Sequence, residues 1–369
     1  MKFSIGKDPF AGGLQAVQNI VTTRTTLPIL ANVLMRAEGD RIDLTASDLD
    51  MTIQRDVAAK VETPGAVTLP VKRLFSIVRE LGTPEIEMEV DDRSIATLQS
   101  GPSLYKIHGL PADEYPPVPS LEVGRCAVLP QETLKGMLRR TIFAVSTDEA
   151  RYVLNGLFFS LKDHKLTVVA TDGRRLALTH EEVEIEADGE HEFILPTKAA
   201  NELGRLLTDK GQVEIRVQEN QVVFTLLEED GHRVQLMTKQ VEGTYPNYRQ
   251  VIPKESRHRV TLAREEFLQA LRRAELMTSE KSNSVKLTFT RNQLSITANT
   301  PEIGEARETL AVNYKDEDFA VAFNPAYLLD ALKALDDEEV FFELTDELSP
   351  GVLKINGPFL YVIMPMRMN

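Results

Sequence analysis

Residues 153–183 read VLNGLFFSLKDHKLTVVATDGRRLALTHEEV. Apolar and polar positions alternate through GLFFSLK, break at the polar pair Asp163-His164, and resume through KLTVVAT. Alternation of period two marks a strand with one buried face. Asp172-Gly173 then supplies a second turn, because glycine tolerates positive φ and an aspartate oxygen bonds nearby backbone amides. A third apolar run follows at Leu176-Ala177-Leu178. The stretch is three strands joined by two turns. Its charged turn, with Asp172, Arg174 and Arg175, reads as solvated surface between strands or as a small catalytic or phosphate site; for such a turn the first is the ordinary reading.

Two relatives of this frame occur in the same chain. Residues 29–57 read ILANVLMRAEGDRIDLTASDLDMTIQRDV, and residues 284–310 read SVKLTFTRNQLSITANTPEIGEARETL. Their landmark alanines, Ala46, Ala170 and Ala298, lie 124 and 128 residues apart. A strand-then-helix block follows each frame: VTLPVKRLFSIVREL (67–81), FILPTKAANELGRLL (193–207) and VAFNPAYLLDALKAL (321–335). Pro70, Pro196 and Asn324 mark the helix starts, 24, 26 and 26 residues after the alanines. Apolar spacing near i, i+3, i+4 and i+7 makes each helix amphipathic. A third block returns to alternation, as in VEIRV, VVFTLLE and RVQLMTK of the middle copy. Another helix precedes each frame, at 10–21, 131–144 and 264–277.

Recurrence in fixed order and spacing identifies one unit used three times. The fold class is α+β, with three tandem copies of a domain of two helices and roughly eight strands. Polar, proline-rich segments at 115–124 and 245–256 separate the copies. The expected domains are 1–122, 123–250 and 251–369.

A chain of 369 residues exceeds one ordinary core. Its 42% apolar and 27% charged residues are those of a soluble globular protein. The single cysteine, Cys126, excludes an internal disulfide and any multi-cysteine metal site. No metal and no cofactor is expected. The opening MKFSIGKDPF lacks the apolar core of a signal peptide, and no run reaches the roughly 18 apolar residues of a membrane span. A cytoplasmic location is expected.

The net charge of −14 argues at first against nucleic acid as a partner. Its distribution is uneven. The six helical segments, taken as 10–27, 69–81, 130–143, 196–210, 262–274 and 324–335, carry +7, leaving −21 elsewhere, and five of the six lean basic. Lys and Arg decorate any solvated helix face. A shared lean is different, because with a Debye length of about 8 Å a helix-lined surface can attract phosphates while a distant face repels them.

Six motifs in combination carry a resemblance: TLPILANVL (26–34), SDLDM (47–51), RYVLNGL (151–157), ATDGRRLA (170–177), EGTYPNYRQVIP (242–253) and YVIMPMR (361–367). Together they make the whole chain similar to the bacterial DNA sliding clamp family, the beta subunits of the replicative DNA polymerase III holoenzyme. The resemblance implies that two subunits join head to tail and close a ring, with helices inside and sheets outside. Such a ring encircles duplex DNA without sequence preference and tethers replicative and repair polymerases, the clamp loader and other motif-bearing proteins. No catalysis is implied.

Residue roles follow from the same resemblance. Arg24 and Lys198 occupy positions that contact DNA in this family, with Arg73, Arg139 and Arg140 as companions. A peptide-binding pocket would draw on Leu154, Thr171, Gly173, Arg174, Arg175 and Leu176 of the middle copy, with Pro246 after it. The last copy would add Asn324, Tyr327, Leu348, Val362, Ile363 and the tail Met364, Pro365, Met366 and Arg367. Apolar side chains and adaptable Met suit a groove for an aromatic or Leu anchor. For the dimer interface, Tyr105 and Ile107 would meet the other subunit's Leu276 and Met277, and Arg73 would face Glu302, Glu305 or Glu308. The chain departs from the family pattern at Gln250, at Ser282 on the pocket rim, at Pro350, and in ending Met368-Asn369; Pro102 and Leu104 stand where relatives commonly carry Arg.

Two other classes compete with this reading. An enzyme would use Asp172, Arg174 and Arg175, with His164 or His180; yet the equivalent turns read ASDLD and ANTPE, and no glycine-rich phosphate loop or Ser-His arrangement accompanies them. A monomeric peptide-binding scaffold without DNA encirclement would be a 41.3 kDa species that DNA does not retain.

Overall fold

In a computed structural model the alternating blocks form strands and the 3.6-period blocks form helices. The structure describes residues 1–21, 27–118, 127–185, 191–218, 220–228, 231–279 and 282–367, so Arg24, Cys126, Met368 and Asn369 lie outside the described residues.

In the first copy, β1 (Lys2–Gly6) leads into α1 (Lys7–Gln18). The frame follows as β2 (Asn32–Glu38), β3 (Arg41–Ser47) and β4 (Met51–Ala58). Then come β5 (Lys60–Thr63), β6 (Gly65–Pro70), α2 (Val71–Glu80), β7 (Glu85–Val90), β8 (Ile95–Ser100) and β9 (Ser103–His108). The middle copy runs β10 (Ala127–Pro130), α3 (Gln131–Thr141), β11 (Gly156–Lys162), β12 (Lys165–Thr171) and β13 (Arg175–Glu182). It continues with β14 (Glu184–Ile185), β15 (His191–Pro196), α4 (Thr197–Leu206), β16 (Gln212–Gln218), β17 (Gln221–Leu227) and β18 (Arg233–Lys239). The last copy runs β19 (His258–Ala263), α5 (Arg264–Glu275), β20 (Val285–Thr290), β21 (Gln293–Thr300) and β22 (Gly304–Ala311). It ends with β23 (Phe319–Phe323), α6 (Pro325–Lys333), β24 (Glu339–Leu344), β25 (Gly351–Lys354) and β26 (Phe359–Ile363).

The first helix starts earlier than expected, at Lys7. Pro9 sits in its first turn, where the missing N–H has no intrahelical acceptor to lose. Phe10, Gly13, Leu14, Ala16 and Val17 form its buried face. Gly13 is required by close approach: a Cβ there would stand 2.5 Å from Val57 and 2.9 Å from Leu44 on the underlying strands.

Contacts divide the chain into two compact units that cut through the middle copy. One comprises Met1–Lys135, Val183–His191 and Lys198–Gln240; the other comprises Gly136–Glu182, Glu192–Thr197 and Val241–Asn369. The first unit holds a five-stranded sheet, β5-β1-β7-β8-β9, and a nine-stranded one, β14-β10-β16-β17-β18-β4-β3-β2-β6. The second holds an eight-stranded sheet, β15-β11-β12-β13-β26-β25-β24-β19, and a four-stranded one, β22-β21-β20-β23.

The large sheets are built by one rule used twice. The last strand of a frame pairs with the last strand of the next copy: β4 with β18, and β13 with β26, both antiparallel. The two strands that remain, β22 of the last frame and β9 at the end of the first copy, are sheet edges among the described residues.

Candidate functional site

The turn after β12 is held by its own side chains. The Thr171 hydroxyl donates to the Arg175 carbonyl at 2.6 Å and accepts from the Gly173 amide at 3.1 Å. Asp172 Oδ1 accepts from the amides of Arg174 and Arg175 at 2.8 and 3.0 Å. Gly173 lies at φ +84, the left-handed region that glycine enters without Cβ strain. The same turn occurs after β3. There Ser47 replaces Thr171, and Asp48 Oδ1 accepts from Asp50 and Met51 at 3.0 and 2.7 Å. Leu49 takes the glycine's place at φ 78. The turn is therefore part of the repeated frame. Asp172 is occupied by it, which removes the carboxylate a catalytic cluster would need.

Arg175 is largely internal: only 10% of its side chain is exposed, although it helps line a cavity with Arg174 and Tyr327. Nε donates to Asp172 Oδ2 at 3.0 Å, one terminal nitrogen to Asp330 at 2.7 Å, and the other to the Phe143 carbonyl at 2.7 Å. It also lies over the Tyr327 ring at 4.4 Å. Burial opposes its charge, but the Asp330 hydrogen bond and the surrounding negative groups outweigh it and hold its pKa above the ordinary value. Arg175 ties the turn to α6. Arg174 is the exposed arginine and lies beside the Tyr327 phenol.

Leu154, Leu176 and Val362 belong to an enclosed apolar cluster with Val169, Ile194, Tyr245 and Tyr248. All three are at most 8% exposed and so belong to the packed interior. Ile363 is fully buried, so its side chain cannot meet a ligand and its part is to set the register of Val362 and Met364. Sequence reasoning missed Phe158, whose ring stacks on Tyr245 at 5.1 Å, and missed Tyr245 and Tyr248 themselves. The Tyr-Pro-x-Tyr pattern was the signal that could have found those two.

Exposed apolar residues of the same unit include Met364, Met366, Val251 and Leu348, the last 71% exposed. Pro246 and Arg367 are exposed too, and Pro365 is half-buried. Gln250, Val251, Ile252, Pro350 and Met364 line a cavity of about 380 Å³. Val145, Thr147, Arg151, Asp172, Arg174 and Tyr327 line another of about 340 Å³. The tail is pinned by the Met364 amide donating to the Arg174 carbonyl at 3.0 Å and the Met366 amide to Ala322 at 2.7 Å. Asn324 caps α6 through the Ala326 amide at 3.0 Å. Ser282 is not on this rim: its amide bonds Ser279 and its hydroxyl donates to the Asn299 carbonyl, and it lines neither cavity.

The basic helices are fewer than the sequence count implied. With the observed bounds α2 and α3 carry +2 each and α4 carries +1, while α1, α5 and α6 are balanced. The count shifts because Glu275 falls inside α5 and Arg24 lies outside the described residues; Lys7 with Asp8 and Asp209 with Lys210 cancel in pairs. Lys72 and Arg73 are exposed on α2 and have no ion pair among the described residues. Arg139 is bound by Asp336, one of its hydrogen bonds measuring 3.1 Å, and that bond holds the Asp336 carboxyl below its usual range. Lys198 pairs with Asp48, and Lys135 with Asp209 at 2.7 Å. Arg140 is half-buried, its Nε enclosed without a partner. Each of these ion pairs leaves at least one partner well exposed, so each contributes about 0–1 kcal/mol and yields readily to a phosphate.

The interface calls separate in the same way. Leu104 and Tyr105 on edge strand β9 are exposed, whereas Ile107 is 6% exposed and packs into its own domain. Leu276 is 75% exposed and Met277 half-buried. Glu302 and Glu305 are exposed, but Glu308 is taken by Arg273 at 2.6 Å.

Comparison with known proteins agrees along the whole chain. Models of the DNA polymerase III beta subunit match in order: its N-terminal domain at residues 1–119, its central domain at 128–247 and its C-terminal domain at 249–367. The Chlamydia muridarum beta sliding clamp is 35% identical over 369 residues, covering 100% of both chains, and the Bacillus subtilis one is 32% identical with the same coverage. Among solved structures, the Bacillus subtilis DNA polymerase sliding clamp and the Pseudomonas aeruginosa DNA polymerase III subunit beta both superpose with a TM-score of 0.93 at 32% identity, again over all of both chains. The chain belongs to the DNA polymerase III beta subunit family, the bacterial sliding clamps.

Proposed function

We propose that this chain is a non-catalytic processivity factor of the cytoplasm. Two copies close a ring of six domains, taken as 1–122, 123–250 and 251–369 in each, around duplex DNA. The observation that carries this reading is the sheet rule. Frames one and two each continue into the final strand of the following copy, through β4·β18 and β13·β26. In frame three β22 ends its sheet among the described residues, and its free edge would pair with β9 of a second chain, whose own β22 pairs back and closes the cycle. Unpaired edges of this kind are templates for pairing, and exposed Leu104, Tyr105 and Leu276 add apolar area beside them.

Inside such a ring, Lys72, Arg73, Arg139, Arg140 and Lys198 would attract the phosphate backbone weakly and without reading bases, which permits sliding. Arg24 keeps its proposed role on the resemblance alone. Partner peptides would lay an apolar anchor over the Leu154–Leu176–Val362 floor, with Met364, Met366, Pro246 and Leu348 closing around it. Arg174 and Tyr327 would meet the peptide's polar groups, while Arg175 holds that surface in place.

Sedimentation equilibrium tests the closure. The native chain should sediment at twice 41.3 kDa, and Leu104→Asp combined with Leu276→Asp should shift it to the monomer. A native chain that stays monomeric at micromolar concentration would leave the scaffold without DNA encirclement as the better reading.

A further inference from the structure

The peptide-pocket frame is present a second time, and its copy has no assigned role. At the junction of the first and middle copies, Tyr115-Pro116 stands as Tyr245-Pro246 does, and Tyr115 packs with Ile29, Leu30 and Leu34. The Asp48 turn repeats the Asp172 turn, and β4·β18 repeats β13·β26. What differs is the lining. In the pocket described above, one rung across four strands is Phe158, Val169, Leu178 and Leu360, all apolar. The matching rung here is Leu34, Thr45, Gln54 and Gln235.

The next rung is charged. Arg36 faces Asp43, Asp43 faces Asp56, and Asp56 accepts the Arg233 amide at 3.0 Å. Both aspartates have other partners: Asp43 meets Arg41 at 3.2 Å and Asp56 meets His232 at 3.4 Å. The guanidiniums of Arg36 and Arg233 are exposed and have no ion pair among the described residues. These two rungs and the 115–118 segment enclose a cavity of about 340 Å³. The Tyr115 hydroxyl is buried beside this cavity, near the Ser47 backbone. Burial pushes the Tyr115 phenol up to about 12, so it stays a donor at neutral pH.

We infer that this groove is a second docking site, for an extended acidic peptide that carries two carboxylates on either side of an apolar residue. The arginines end a four-strand rung, so three interstrand gaps of about 4.8 Å separate them by about 14 Å. An extended chain spans that in about four residues at 3.3 Å each, which places the two acids at i and i+4. The apolar residue between them meets Leu34 and the Tyr115-Pro116 wall. A nucleic acid fits less well, because Asp43 and Asp56 stand between the arginines and oppose a continuous polyanion.

Fluorescence anisotropy with a labelled peptide of core Glu-Ala-Leu-Ala-Glu tests the site on the full chain. Saturable binding is expected, with affinity falling at least about tenfold for the Gln-Ala-Leu-Ala-Gln peptide and for Arg36→Glu/Arg233→Glu. The glutamine peptide needs no altered protein, so misfolding of the variant cannot mask the result. Three outcomes would overturn the inference: no saturation near millimolar peptide, equal affinity for the glutamine version, or displacement by oligothymidylate at lower concentration than by unlabelled peptide. Loss of binding on Met364→Ala instead would assign the peptide to the other pocket and equally refute it.

Discussion

Replacing Arg175 with Ala separates two roles that the sequence alone left together. If Arg175 contacted a bound peptide directly, its loss would weaken binding and leave stability intact. The structure makes it an internal tie with three hydrogen bonds of 2.7 to 3.0 Å and a cation–π contact to Tyr327 at 4.4 Å. Removing one partner of a buried pair costs about 3–5 kcal/mol. Here Asp330 is 36% exposed and can rehydrate, and Asp172 keeps its two amide donors, so the cost falls to about 2–4 kcal/mol. The Phe143 carbonyl loses its partner, and the Tyr327 ring loses the cation above it. Denaturant unfolding should show that loss of stability, and anisotropy with a motif peptide should show weaker binding, since the turn carrying Arg174 is no longer tied to α6. Arg175→Lys should recover only part of both, because an ammonium cannot reproduce the planar fork. Unchanged stability together with weakened binding would refute the tie and restore the direct-contact role.

Other expectations follow from the ion pairs and the strained turn. Asp336→Asn releases Arg139, so DNA affinity should rise at low salt and the slope of log affinity against log salt should steepen by about one phosphate contact; a weaker or unchanged affinity would mean that Arg139 does not face DNA. Leu49→Gly relieves a left-handed leucine at φ 78 and should stabilise the chain by about 0.5–1 kcal/mol in urea, whereas destabilisation would show that the exposed leucine makes a compensating contact. The Arg273 hydrogen bond lowers the Glu308 pKa. Its small contribution is therefore full above the ordinary carboxylate value and is lost as pH falls through the depressed one. Unfolding midpoints of the native chain and Glu308→Gln should converge in that acid range, and a constant gap from neutral to acid pH would contradict the pairing.

Much of the fold was legible because strand alternation and helical spacing survive in each copy independently. Ala46, Ala170 and Ala298 fixed the repeat, and the repeat in turn explained the Asp172 turn. The joins between copies were not legible. Nothing local in Met51–Ala58 or Arg233–Lys239 states that these strands pair, because pairing partners are set by tertiary packing. Helix charge misled for a related reason: extending the fifth helix by one residue to Glu275 cancels its excess of base. In the pocket, residue types announced an apolar site, but their depth was hidden. Arg175 finds Asp330, 155 residues away, and Glu308 finds Arg273 across a strand edge. Long-range ion pairs of this kind decide which charges remain free for a ligand, and sequence spacing does not record them.

The central claim is topological closure around DNA, and retention on circular against linear DNA measures it most directly. After loading onto nicked circular duplex, the chain should stay through gel filtration and leave rapidly once the circle is cut. Equal retention on the circular and the linearised DNA would contradict the ring.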